Sequence, residues 1–196
     1  MERKKMFDAF EAATKCLGSY DEFPTMPKGT DPMPCLSRNR VPQPMHLISA
    51  NDEVLIAMAG RSVLHLPGAS PTELTLQVGE AVYIPAGQPS RVIPTSASIH
   101  IRYKPEPPGW EAAAWYCDSC GHEIFRCEFN PAERLAQECY WDACEQFNAD
   151  EELRTCAECG LVASTCDLTD IRWREVADMI REGDTPASTW DRVDAR

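Results

Sequence analysis

Two CxxCG knuckles constrain this chain more than any other feature. They are Cys117-Asp-Ser-Cys120-Gly121 and Cys156-Ala-Glu-Cys159-Gly160, with 35 residues between them. Two residues between cysteines let both thiolates point at one ion, and the glycine that follows lets backbone N–H groups turn toward the sulfurs. Two such knuckles predict a closed, tetrahedral, four-sulfur site of structural kind. Zinc and iron both suit it, and residue types alone do not separate them. Eight of the ten cysteines fall between 117 and 166. In a reducing compartment that clustering favours metal ligation over a disulfide framework. Cys127, Cys139, Cys144 and Cys166 are left over and read first as packed thiols, with a second metal or redox role as the alternative. Cys139 and Cys144 stand about one and a half helical turns apart, a poor ligand spacing.

The chain has 196 residues, enough for one good core and a small second module. Its net charge of −12 argues against a nucleic-acid or anionic-membrane surface. No run approaches the roughly 20 apolar residues of a membrane span. The basic start at Met1–Lys5 lacks an apolar stretch behind it, so a cytoplasmic address is expected.

Four zones are predicted. Residues 1–35 form an N-terminal helix, with Phe7, Phe10, Ala13 and Leu17 on one side, and a proline-rich extended segment; six prolines lie between Pro24 and Pro44. Residues 36–104 are strand-like: 54–60, 62–66, 73–78, 81–85 and 98–103 are β-favouring runs broken by Gly, Pro and Ser, which suggests an antiparallel barrel or jelly roll. Residues 105–166 hold the cysteines and a helix expected to start at Asn130-Pro131 and run to about Phe147. Residues 167–196 form a tail with one helix that buries Trp173, Val176, Ala177 and Ile180 and stops at Gly183.

Two stretches of the strand zone resemble the cupin signature. The first is His46 followed by Glu53 and then Gly60; the second is Gly79, Pro85, Gly87 and Ser90. Joined to the knuckles, and above all to Trp115-Tyr116-Cys117 and Gly121-His122, they make residues 36–165 similar to the bacterial 3-hydroxyanthranilate 3,4-dioxygenase family, a small cupin with a rubredoxin-like metal site. The resemblance implies a mainly β fold: a cupin jelly-roll barrel, a C-terminal rubredoxin-like four-cysteine module and flanking helices. It also implies a homodimer, a small aromatic substrate and a barrel Fe(II) held by two histidines and a glutamate. His46 and Glu53 fit the first histidine and the glutamate.

This sequence departs from that pattern at three places. Ser90 stands where the second histidine falls, and a hydroxyl is a poor Fe(II) ligand. Pro94 falls where a substrate-binding arginine is expected, and Ile101 or Arg102 where an acidic residue is expected. Alternation in Ser98–Tyr103 places His100 and Arg102 on one face of a strand. Facing inward, His100 could complete a relocated triad and Arg102 could hold a carboxylate; facing outward, both are solvated. Any divalent metal in such a barrel is expected to be weakly held. Three functions follow: altered, biosynthetic cupin chemistry on an aminophenol- or anthranilate-like aromatic; a non-catalytic, metal-stapled cupin that binds a small molecule or partner protein; and rubredoxin-like electron transfer.

Overall fold

A computed structural model describes residues 8–16, 20–26 and 29–183. The strands are β1 Tyr20–Pro24, β2 Met33–Asn39, β3 His46–Ser49, β4 Glu53–Ala59, β5 Ser62–His65, β6 Glu73–Leu76, β7 Ala81–Ile84, β8 Arg91–Pro94, β9 Ser98–Lys104, β10 Glu111–Tyr116 and β11 Glu123–Phe129. The helices are α1 Ala9–Cys16, α2 Ala136–Ala149, α3 Glu151–Arg154 and α4 Trp173–Glu182. Among the described residues no helix is long and apolar enough to cross a membrane.

One antiparallel sheet runs β1-β2-β9-β4-β7. Two three-stranded sheets, β11-β10-β3 and β6-β5-β8, lie opposite. Leu47 and Ser90 join these two edge to edge, each N–H donating to the other's carbonyl at 2.9 Å. The result is the expected jelly-roll sandwich. Side chains alternate across it as strand geometry requires. Leu55, Ala57 and Ile84 of the first sheet meet Leu64, Leu76 and Val92 of the second, forming the apolar half of the interior. Partners in β9 and β2 share that inner face, so Ser37, Asn39, His100, Arg102 and Lys104 all point inward and form a polar half.

Helix α2 packs on the inner face of β3 and β10. Its Tyr140, Ala143, Cys144 and Phe147 meet Met45, Leu47, Ala113 and Trp115. Phe147 stacks on Trp115, with centroids 4.4 Å apart and an angle of 11° between the rings. Helix α4 joins this cluster through Trp173 and, through Val176, reaches a second cluster with Ala13, Phe23 and Leu36. The tail helix is as the sequence predicts: Trp173, Val176 and Ala177 are buried, Ile180 packs beside them, and Gly183 ends it at φ +67°.

Three boundaries differ from expectation. Strands β1 and β2 begin before residue 36, and β10 and β11, within the cysteine zone, complete the sheet of β3; the barrel therefore draws on residues either side of 36–104. Asn130 caps an isolated turn, its carbonyl accepting from Glu133 and Arg134, and α2 starts only at Ala136. In α1 the buried residue is Ala13, whereas Phe10 is 48% exposed; Phe7 and Leu17 lie outside the described residues.

Gly60 ends β4 at φ +71°, and a Cβ there would lie 2.1 Å from the carbonyl oxygen of Ala97. The left-handed backbone and the clash act together, so Gly60→Ala should destabilise the fold by more than about 2 kcal/mol in urea unfolding.

Candidate functional site

The four-cysteine centre is built from two copies of one local structure. In the first, the Cys117 N–H donates to His122 O at 2.8 Å and the Gly121 N–H to Cys117 O at 2.8 Å. In the second, Cys156 N–H meets Leu161 O at 2.8 Å and Gly160 N–H meets Cys156 O at 2.9 Å. Both glycines sit at φ +73°, which is what lets the chain reverse under the sulfurs. The Sγ atoms of Cys117 and Cys159 are 3.5 Å apart, as are those of Cys120 and Cys156, and all four lie within 4.8 Å of one another. Tetrahedral ligation with bonds of about 2.3 Å needs sulfurs about 3.8 Å apart, so the residues present fit one zinc or iron ion. The backbone N–H of Cys120 holds the Cys117 thiol down to about 7, whereas at Cys120 the hydrogen bond from the His122 backbone is outweighed, chiefly by the contact with Cys156, and the thiol is raised. Four protein ligands close the first coordination sphere.

The barrel residues do not converge in the same way. Ser90, Glu53 and Arg102 do meet: Arg102 Nη1 donates to Glu53 Oε2 at 2.5 Å and lies 3.5 Å from Ser90 Oγ. His46 is on the other face of its sheet. Leu47 pairs with the inward Ser90, so alternation turns His46 outward. There its Nε2 meets Nδ1 of His65 at 2.9 Å, and Tyr116 packs edge-on against its ring. Burial, with Arg91 and His65 beside it, pushes His46 down to about 3, so it is neutral at pH 7. His100 does face inward, but both its nitrogens are engaged, Nδ1 with Asn39 at 2.7 Å and Nε2 with Ser62 at 2.9 Å. Burial, then Arg102, lowers it to about 4. Among the described residues the four cysteines are the only group of three or more His, Cys, Asp or Glu with ligand atoms this close together. Glu53 retains one oxygen, Oε1, without a hydrogen-bond partner, yet no histidine joins it. The two-histidine-one-carboxylate set that the resemblance implies therefore does not assemble, and these residues do not fit a barrel Fe(II).

In its place lies a buried charge network. Arg102 Nε is 3.6 Å from Glu22, Lys104 Nζ is 3.1 Å from Glu22 and 3.0 Å from Glu111, and the Tyr140 hydroxyl donates to Glu111 at 2.9 Å. Burial would raise both glutamates. Lys104 and Arg102 outweigh it at Glu22, which is held low, whereas Lys104 offsets it only in part at Glu111, which is raised. Of Glu22 and Glu111, Glu111 is therefore the one that more readily carries a proton. Glu22, Lys104 and Glu111 also floor a cavity of about 710 Å³, walled by Met26, Met33, Pro107 and Leu135 among others. Sequence reasoning missed Glu22, Glu111 and Tyr140. It missed Lys104 as well, which the alternation of His100 and Arg102, carried one step further, would have put on the same face.

Cys117→Ser and Cys156→Ser should each release the metal and lower stability by more than about 3 kcal/mol, because ligation contributes directly to folding of the module. Metal analysis combined with denaturant unfolding checks this; a folded, metal-free Cys117→Ser protein of unchanged stability would contradict it.

No family model matches the sequence. Curated relatives do. The 3-hydroxyanthranilate 3,4-dioxygenase 1 of Aspergillus oryzae is 31% identical over 97 residues, 47% of this chain and 48% of the relative. The enzyme of that name from Bacillus thuringiensis is 30% identical over 92 residues, 44% and 49% of the two chains. This chain spans about half the length of the curated relatives it matches. Among solved structures, a cupin-2 domain containing protein from Shewanella frigidimarina superposes with a TM-score of 0.44 at 18% identity, over 51% of this chain and 94% of that one. Hydroquinone 1,2-dioxygenase from Sphingomonas gives 0.43 at 16%, over 49% and 71%. The chain thus has a jelly-roll sandwich and a four-cysteine cluster, and about half of its length is similar to 3-hydroxyanthranilate 3,4-dioxygenases.

Proposed function

We propose that this chain acts on a small aminophenol- or anthranilate-like aromatic at the charged floor of its 710 Å³ cavity, by chemistry other than iron-dependent ring opening. The observation that carries this reading is the buried Arg102–Glu53 ion pair at 2.5 Å. It engages the carboxylate that a barrel metal would need, and a buried carboxylate bound to a guanidinium is costly to detach. The half-length relationship to 3-hydroxyanthranilate 3,4-dioxygenases supports the ligand class.

The floor of the cavity suits such a ligand. Lys104, kept protonated because its carboxylate neighbours outweigh burial, can face an aromatic carboxylate. Glu111, held by the Tyr140 hydroxyl behind it, can accept or return a proton at an amino or hydroxyl substituent. The apolar walls at Met26, Met33 and Leu135 suit the ring. The four-cysteine ion, zinc or iron, serves as a staple in this reading. Electron transfer through it is the competing use, and a zinc-loaded native protein removes that use.

The test is calorimetry and product analysis on purified protein with 3-hydroxyanthranilate and anthranilate, with and without added Fe(II). We expect saturable binding, about tenfold weaker in Lys104→Met through loss of a charge-assisted contact, and no ring-opened product. Efficient ring opening on adding Fe(II) would overturn the proposal, and so would absence of binding by either acid.

A further inference from the structure

Two of the cysteines outside the metal centre are placed as a reactive pair. Cys144 lies on α2 and is fully buried. Cys166 lies beyond the second knuckle and is partly exposed. Asn148, one turn along α2 from Cys144, fixes Cys166 from both sides: its Oδ1 accepts from the Cys166 N–H at 2.7 Å and its Nδ2 donates to the Cys166 carbonyl at 2.9 Å. Cys166 packs against the core cluster that contains Cys144. The indole Nε1–H of Trp115 donates to Cys166 Sγ at 3.2 Å, and the Cys166 thiol reaches the Pro44 carbonyl at 3.7 Å. Cys166 also lines a cavity of about 380 Å³, together with Arg91 and His46.

We propose that Cys166 is a peroxide-reactive thiol and Cys144 its resolving partner. The Cys166 thiolate attacks one oxygen of hydrogen peroxide; the O–O bond breaks, giving a sulfenic acid and hydroxide. The Cys144 thiol, losing its proton, then attacks Cys166 Sγ and displaces water, so that two thiols and one peroxide yield one disulfide and two waters. Three features support this assignment. The Cys144 thiol, then hydrogen bonding from Trp115, holds the Cys166 thiol low against the opposing effect of burial, and Arg91 adds to it. The same pairing, reinforced by burial, raises Cys144, which suits a partner that reacts second. Asp118, Asp167 and Asp170 share the cavity with Arg91, so a neutral oxidant is favoured over an anionic disulfide.

The other cysteines whose side chains are described are placed differently. Burial raises Cys35, Cys127 and Cys139, and the four knuckle sulfurs are committed to the ion.

The test uses the full, metal-loaded chain. Iodoacetamide at neutral pH, read by peptide mapping, should modify Cys166 at least about tenfold faster than Cys127 or Cys139. Stoichiometric hydrogen peroxide should give a Cys144–Cys166 cross-linked peptide as the first product, with the metal retained. In Cys144→Ser the oxidation should stop at a sulfenic acid on Cys166 that dimedone traps. Labelling of Cys166 no faster than Cys127 in the wild-type protein would overturn the proposal. So would a first disulfide that joins any other cysteines.

Discussion

Arg102 is 1% exposed, and its guanidinium stands between Glu53 and Glu22 in the interior of the sandwich. A charge so buried is tolerable only when its partners are fixed, and removing one partner of such a pair costs about 3–5 kcal/mol. The partners come from β1 and β4, and through Lys104 the network reaches Glu111 on β10 and Tyr140 on α2. The five-stranded sheet, the sheet of β10 and the helix packed on the inner face of β3 and β10 must therefore arrive in one register. The apolar cluster of Leu55, Leu64, Leu76 and Val92 supplies much of the burial, while the charged half specifies which strands stand opposite one another.

The same network decides what the barrel can do. A metal-dependent site needs ligands whose lone pairs are available; here Glu53 shares its carboxylate with Arg102, and His100 spends both nitrogens on Asn39 and Ser62. The interior is a set of fixed charges beside a cavity, and the proposed function rests on that arrangement. Metal ligation is left to the knuckles, where paired loops bring four sulfurs to one point.

Much of this was legible in the sequence, for identifiable reasons. The CxxCG pairs were legible because their ligand geometry is local. Strands β4, β5, β6, β7 and β9 were legible because they are short β-favouring runs that Gly, Pro and Ser separate. Alternation put Ser98, His100 and Arg102 on one face of β9, but it left that face inward or outward; the pairing with β2 and β4 turns it inward. His46 was not placed correctly beside Glu53, because β3 is buried on both faces and His-Leu-Ile-Ser carries no alternation that fixes its parity. Only the pairing of Leu47 with Ser90, 43 residues away, settles which side chain enters the barrel. Strands β10 and β11 were hidden by their place among the cysteines. The start of α2 was obscured because Asn130-Pro131 caps a turn of its own. Glu22 and Glu111 gave no local sign, since their role exists only once Lys104 lies between them.

The central claim is that Arg102 stands with Glu53 where a barrel metal would have to bind. The most direct measurement is an anomalous-difference map from crystals of the native protein grown anaerobically with excess Fe(II) or Co(II). The account predicts a single strong peak among Cys117, Cys120, Cys156 and Cys159, with unbroken density between Arg102 and Glu53. A second peak of comparable height bonded to Glu53, with Arg102 swung away from it, would contradict the account.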